Sequence, residues 1–297
     1  MRQKASITKA VIACAGWGTR FLPTVKTYAK PLIPILDKAQ IQWVIEELIG
    51  AGIKKIAIVH RHGDPSLKRH FTPNPELQKY LKKTNKQACI QSLEYIWKNC
   101  TLKFIPQSPK LPYGNGTPIL AAKSFIGSDS FIYCWGDDLT IENKPGAFLK
   151  GAIALFQKYQ PAVVECVQKV PWSEVYRYGT VKYIKDSKYP NRISVLKEKL
   201  PADQAPSNII QGARFVVSAK IIKILQKTTV AKGELWFTDA VNTLCQTDVV
   251  ITHNYIENKA LWTTTGDPLR WLKANITLAL RHPEFKKDIK TFLKKLV

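Results

Sequence analysis

The sequence predicts an α/β fold: a mostly parallel mixed sheet covered by helices on both faces, with a small antiparallel hairpin region and helices at the C-terminal end. Three observations carry that expectation. Apolar runs of strand length recur along the chain, segments with helical spacing separate them, and a glycine-rich turn directly follows the first run.

Lys9–Cys14 (KAVIAC) is rich in Val, Ile and Ala and stops short of Gly16, the pattern of a buried parallel strand. Ile41, Val44, Ile45 and Leu48 fall at helical spacing, Gly50 and Gly52 close that helix, and Ile53–His60 reads as the next strand. Strand, loop, helix, strand is a βαβ unit. Leu102–Ile105, Phe131–Trp135 and Ala162–Val167 continue the series. Thr180–Ser194 alternates apolar and polar residues, which predicts an antiparallel hairpin beside the main sheet, and Ile209–Val217 reads as a further strand. In the tail, Leu269, Leu272, Ile276 and Leu280 have helical spacing, and a Lys-rich amphipathic segment follows around Phe285, Ile289, Phe292 and Leu293.

The 297 residues suit one large α/β domain or two small ones. A composition of 45% hydrophobic and 23% charged residues excludes collagen-like and low-complexity classes. Lys plus Arg is 45 against 22 acidic residues, a net charge of +23 that points to an anionic partner or surface without naming it. Nucleic acid is disfavoured, because no recognition motif accompanies the lysines; Lys286, Lys287, Lys290, Lys294 and Lys295 read as a solvated face. No apolar stretch approaches the roughly 18 residues of a membrane span, and Met1-Arg2-Gln3-Lys4 lacks the apolar core of a signal peptide, so a soluble, cytoplasmic protein is expected. The six cysteines form no C-x-x-C pair and read as reduced, mostly buried thiols. The cluster of His60, Arg61, His62 and His70 lacks the convergent ligands of a metal centre.

Ala15–Pro34 (AGWGTRFLPTVKTYAKPLIP) is the most informative segment. A strand ending in A-G-x-G-T-R exposes successive backbone N–H groups, with no side chain in the way at Gly16 and Gly18, and such a nest binds phosphate oxygens. Thr19 adds a hydroxyl and Arg20 a fork of donors. It is neither a Walker loop nor a full dinucleotide fingerprint, and taken alone it fits an ordinary strand-to-helix turn equally well.

Further pieces follow in order: Lys26, Lys30-Pro31-Leu32, Trp135-Gly136-Asp137-Asp138, Tyr178-Gly179, Glu198-Lys199, Ala205-Pro206-Ser207-Asn208, Gly233-Glu234, Thr238-Asp239-Ala240 and Gly266-Asp267. Together with the glycine loop, this series resembles the bacterial UTP:glucose-1-phosphate uridylyltransferases, within the wider sugar-nucleotide pyrophosphorylases. The resemblance runs from about Lys9 to Phe285. It implies a Rossmann-like nucleotidyltransferase domain over 9–297, with a nucleotide-binding part (9–140), a sugar-phosphate-binding part (141–265) and a C-terminal helical segment (266–297). It also implies NTP and sugar 1-phosphate substrates, above all UTP and glucose 1-phosphate, a Mg²⁺ cofactor, and a homo-oligomer, dimer or tetramer.

Residue by residue, the resemblance implies that Ala15, Gly16, Gly18 and Thr19 cradle the nucleotide. Arg20 neutralises the departing pyrophosphate, and Lys30 sits near the α-phosphate. Asp137, at the end of an apolar strand, holds Mg²⁺; capping the next turn is its alternative role. Lys199 contacts the sugar phosphate, Glu198 accepts from sugar hydroxyls and Gly179 permits close approach of the hexose. Gln107 reads the uracil edge, and Gly116 belongs to the loop beside the base. Transfer between two polyanions needs cations and donors around an in-line transition state, and the attacking oxygen is already anionic, so no general base is required.

The chain also departs from the family pattern. Thr264 stands where a second Mg²⁺-binding aspartate is usual, Pro31 where a glutamate is common, Pro106 for an arginine, Thr117 for a histidine and Ala213 for a glycine. These changes keep two alternatives open: a catalytically weakened paralogue acting as a nucleotide-sugar-binding regulatory or scaffold subunit, and a related transferase with a different base or sugar.

Overall fold

The computed structural model describes residues 6–231 and 233–296, so the Met1–Lys4 leader and Val297 lie outside the described residues. Thirteen strands occur among those described: β1 (Lys9–Cys14), β2 (Pro34–Ile35), β3 (Lys38–Ala39), β4 (Lys55–Arg61), β5 (Thr101–Gln107), β6 (Phe131–Trp135), β7 (Asp138–Ile141), β8 (Val163–Lys169), β9 (Gly179–Tyr183), β10 (Ile193–Glu198), β11 (Ile209–Val217), β12 (Val250–Asn254) and β13 (Leu261–Thr264).

Nine strands form the main sheet, ordered β10-β9-β11-β6-β1-β4-β5, with β8 against β11 and β12 beyond β8. β1 runs parallel to both β4 and β6, and β4 runs parallel to β5. β11 is antiparallel to β6 on one side and to β8 on the other, and β12 is parallel to β8. The expected hairpin exists as β9 and β10, but it joins the main sheet rather than lying beside it, because Ile210 of β11 pairs with Thr180. Pro106 occupies the edge strand β5, where its missing N–H costs no ladder bond.

Successive residues of each central strand feed opposite cores. Ala10 and Ile12 meet the helices Gln40–Gly50 and Ala147–Tyr159 on one face, while Val11 meets Thr117–Ala121, Lys220–Lys227 and Phe237–Thr247 on the other. Helix Gln40–Gly50 buries Ile41, Val44, Ile45 and Leu48 completely, each contributing about 1.5–3 kcal/mol relative to exposure. Its Glu47 is also buried, at 4% exposure, and pairs with the fully buried Arg214 of β11.

The tail folds as two helices, Pro268–Ala279 and Lys286–Leu296. Asp267 caps the first, accepting from the Arg270 amide. All six cysteines are free; Cys89 is exposed and the other five are buried. No helix among the described residues is long and apolar enough to cross a membrane.

Candidate active site

The C-terminal ends of β1, β5 and β6 open on one cavity of about 420 Å³. Open α/β sheets place their ligands at this end, because helix N-termini and loop amides converge there. Ala15, Gly16, Gly18, Thr19, Arg20, Lys30, Gln107, Asp137 and Lys199 all line the cavity. Four chain segments far apart in sequence thus contribute to one wall system.

The loop after β1 turns sharply. Gly18 adopts φ +65°, and a Cβ there would stand 2.9 Å from Cβ of Lys30, so the position demands glycine. Gly16 differs: a Cβ added there meets no atom of the described residues within 4 Å, which leaves open space in front of the loop. Thr19–Phe21 then form a 3₁₀ turn, and Arg20 Nη1 reaches the Gly266 carbonyl at 3.4 Å.

Lys30 Nζ donates to Asp137 Oδ2 at 2.6 Å. The Lys30 side chain is only 10% exposed, whereas that of Asp137 is 38% exposed toward the cavity. Burial opposes ionisation of Asp137, but the Lys30 ammonium, with Arg20 beyond it, holds the carboxyl below its usual range. Asp138 behaves oppositely: burial first, then the charge of Asp137, pushes its carboxyl well up. The two neighbouring carboxyls are thus pushed in opposite directions, Asp137 toward its charged form and Asp138 toward its neutral one.

Lys199 has a left-handed backbone at φ +50°, a strained conformation for a non-glycine residue. Its ammonium lies 4.8 Å from the centroid of the Trp236 ring and 4.0 Å from Glu198 Oε1. Glu198 and Gly179, expected at the sugar, do not line the cavity; Glu198 accepts from Thr238 Oγ1. Gly179 faces Glu198 across the β9–β10 ladder, where a Cβ would come 2.8 Å from its carboxylate. Gly116 does not line the cavity. Its amide donates to the Leu235 carbonyl, and the neighbouring Gly114 and Asn115 reach the lining instead.

Two lining residues hold buried polar atoms without a hydrogen-bond partner among the described residues, Gln107 Oε1 and Trp135 Nε1. Such atoms are costly unless a ligand or water completes them. Sequence reasoning did not single out Trp17, Tyr113, Asn115 or Trp236, which also line the cavity. The Pro112-Tyr113-Gly114-Asn115 turn was a readable loop signal, whereas nothing in the spacing marks Trp236.

Among the departures, Thr264 sits opposite Asp138 in the β7–β13 ladder and its hydroxyl accepts from the Gly266 amide. Thr117 is buried and donates to the Pro112 carbonyl at 2.6 Å, closing the loop that carries Tyr113. Ala213 is buried within β11.

The donor set suits a hard divalent ion escorted by phosphate. Asp137 offers one carboxylate open to the cavity, and no cluster of three or more ligating side chains exists among the described residues. Mg²⁺ is held in this manner, by one or two carboxylates with substrate phosphates and waters.

The family model for nucleotidyl transferases matches residues 9–279. The chain belongs to the nucleotidyl transferase family. Among curated nucleotidyl transferases it is 33% identical to a UTP–glucose-1-phosphate uridylyltransferase of Streptococcus pneumoniae serotype 4, over 97% of this chain and 96% of that one. A Streptococcus pyogenes uridylyltransferase is likewise 33% identical, over 98% and 94%. Among solved structures, UDP-glucose pyrophosphorylase from Acinetobacter baumannii superposes with a TM-score of 0.86 at 29% identity, over 98% of this chain and 100% of that chain. A UTP-bound form from the same organism gives the same TM-score, identity and coverage. The uridylyltransferase branch and the mixed-sheet fold expected from the sequence are both borne out.

Proposed function

We propose that this nucleotidyl transferase moves the uridylyl group of UTP onto glucose 1-phosphate, releasing UDP-glucose and pyrophosphate, with Mg²⁺ as cofactor. The observation that carries the reading is the meeting of Arg20, Lys30, Asp137 and Lys199 on one cavity floored by a glycine-rich loop. The known ligands of relatives point the same way: one solved pyrophosphorylase holds UTP, and another, at TM-score 0.82, holds UDP-glucose.

In this reading the loop amides at Gly16, Gly18 and Thr19 bind the phosphate chain, and Gln107 accepts from the uracil edge through its otherwise unpartnered oxygen. Lys199 holds the sugar phosphate, and Glu198 with Gly179 shapes the hexose pocket. An anionic oxygen of glucose 1-phosphate attacks the α-phosphorus, forming one P–O bond, while the bond to the β-phosphate oxygen breaks and pyrophosphate leaves with its electron pair. Arg20 offsets the charge gathering on the leaving group, and Lys30 keeps Asp137 ionised and aimed into the cavity. Asp137 would hold the Mg²⁺, which when bound supplies charge neutralisation between phosphates. The reading includes a single domain in the three parts given above and a cytoplasmic homo-oligomer, dimer or tetramer.

The direct test follows pyrophosphate release from each NTP paired with a panel of sugar 1-phosphates, with and without Mg²⁺. Release that is specific to UTP and glucose 1-phosphate and abolished by chelation is expected; none from any pair refutes the reaction. Thr264 favours one second reading, a paralogue that binds UDP-glucose without turnover, because a hydroxyl is a poorer ligand for Mg²⁺ than a carboxylate. Calorimetric binding of UDP-glucose in the absence of any pyrophosphate release selects that reading.

A further inference from the structure

The turn carrying Asp137 is held from outside at every carbonyl. Arg214 Nη1 donates to Trp135 O at 3.4 Å and its Nη2 to Asp138 O at 2.9 Å. Between them, Gln40 Nε2 donates to Gly136 O at 2.8 Å, and the Thr265 amide donates to Asp137 O at 2.9 Å. The Thr265 hydroxyl stands 2.6 Å from Gln40 Oε1 and 2.8 Å from the Asp137 carbonyl, two acceptors for its single proton, so it ties the carboxamide and the turn together. Arg214 is itself fixed by Glu47, with Nε 3.0 Å and Nη2 2.8 Å from Oε2, and Thr140 Oγ1 donates to Glu47 Oε1.

Gln40, Thr265 and Arg214 are 0% exposed and Glu47 is buried, and none of these four side chains lines the cavity. Burying so much polarity is expensive, and a well-packed apolar replacement of an ion pair is often no less stable, so stability alone is a weak reason for it. What this network has in particular is its endpoint: four consecutive backbone carbonyls flanking one carboxylate. The turn has no slack on its other side either, since a Cβ at Gly136 would stand 2.5 Å from Cys14 Sγ.

We infer that Gln40, Thr265 and the Arg214–Glu47 pair are positioning residues: they lock the 135–138 turn so that the Asp137 carboxylate faces the cavity in one geometry, and metal-dependent nucleotide binding depends on them although none touches substrate. The inference rests on the reading of Asp137 as the metal carboxylate.

The experiment is calorimetric titration of UTP into the full chain, once with excess Mg²⁺ and once with EDTA; the ratio of the two affinities measures the metal coupling. Gln40→Leu and Thr265→Val occupy similar space without the side-chain hydrogen bonds. The ratio is expected to fall about tenfold in each, with the affinity in EDTA staying close to wild type. Thr265→Ser, which retains the hydroxyl, is expected to keep the wild-type ratio. Should Thr265→Val fail to fold, Gln40→Met carries the same comparison. A lowered melting temperature with an unchanged ratio means a structural role only and overturns the inference, as does a wild-type chain that binds UTP equally with and without Mg²⁺. A wild-type chain that shows the coupling and responds to these variants, yet releases no pyrophosphate, refutes the proposed reaction while upholding the positioning role.

Discussion

Lys30 Nζ stands 2.6 Å from Asp137 Oδ2, a contact between loops 107 residues apart in the chain. The ammonium is nearly buried and the carboxylate opens to the cavity, so the pair is both a structural tie and a charge presented to whatever enters.

Removing the negative member should therefore act on chemistry more than on folding. Asp137→Asn is expected to lower the rate of pyrophosphate release roughly 10²–10³-fold, and to lower the melting temperature modestly, because the nearly buried Lys30 ammonium loses its carboxylate. The sign of its pH effect follows from the depressed carboxyl. Burial pulls the other way, yet Lys30 keeps Asp137 ionised, so its contribution is present above the ordinary carboxylate range and lost as pH falls through the lowered folded value. Full turnover in Asp137→Asn would remove this residue from the mechanism.

Gln107 presents a buried oxygen with no donor among the described residues. Gln107→Leu is expected to weaken UTP binding by about 10- to 100-fold, the usual cost of one unmet buried hydrogen bond, and to erode preference for UTP over CTP. Competition between the two nucleotides measures both effects. Unaltered selectivity would place base recognition elsewhere.

Glu165 of β8 is fully buried, and Gln211 Nε2 donates to both of its oxygens, at 3.2 and 3.1 Å. Burial pushes its carboxyl up to about 8. Between the unfolded value near 4.3 and the folded value, the native chain binds more protons than the unfolded chain, so stability falls as pH rises through that window. Glu165→Gln is expected to raise the melting temperature at pH 8 while changing it little at pH 5. Equal shifts at both pH values would contradict a protonated native Glu165.

Arg214 and Glu47 form a buried pair. Arg214→Met leaves the buried Glu47 without its cation, with the Thr140 hydroxyl still donating to it, and is expected to cost about 3–5 kcal/mol in denaturant unfolding; adding Glu47→Gln should recover most of that loss. A double variant as unstable as the single one would show that shape, not charge, dominates at this site.

Much of the fold was legible in the sequence. β1, β6 and β11 begin and end where their apolar runs do, and helix Gln40–Gly50 follows the spacing of Ile41, Val44, Ile45 and Leu48. These elements bury nearly every side chain on at least one face, so the hydrophobic period reports them directly. The pairing of β7 with β13 was not legible, because the two segments lie more than a hundred residues apart and each has only four residues. Nor was Glu47: a carboxylate on a helix reads as solvated until its partner is placed beside it.

Of the cavity lining, the glycine loop could be read from its own residues, and the family resemblance pointed to Lys30, Gln107, Asp137 and Lys199, all of which the structure brings to one cavity. Tertiary structure decided the rest. It left Glu198 and Gly179 out of the lining, turned Gly116 toward Leu235, and brought Trp17, Tyr113 and Trp236 to the cavity wall. It also brought together Gln40, Glu47, Arg214 and Thr265 around one turn. Local sequence determines hydrophobic period and turn chemistry because both act between near neighbours; which polar groups meet depends on long-range packing, and that exists only once the sheet has assembled.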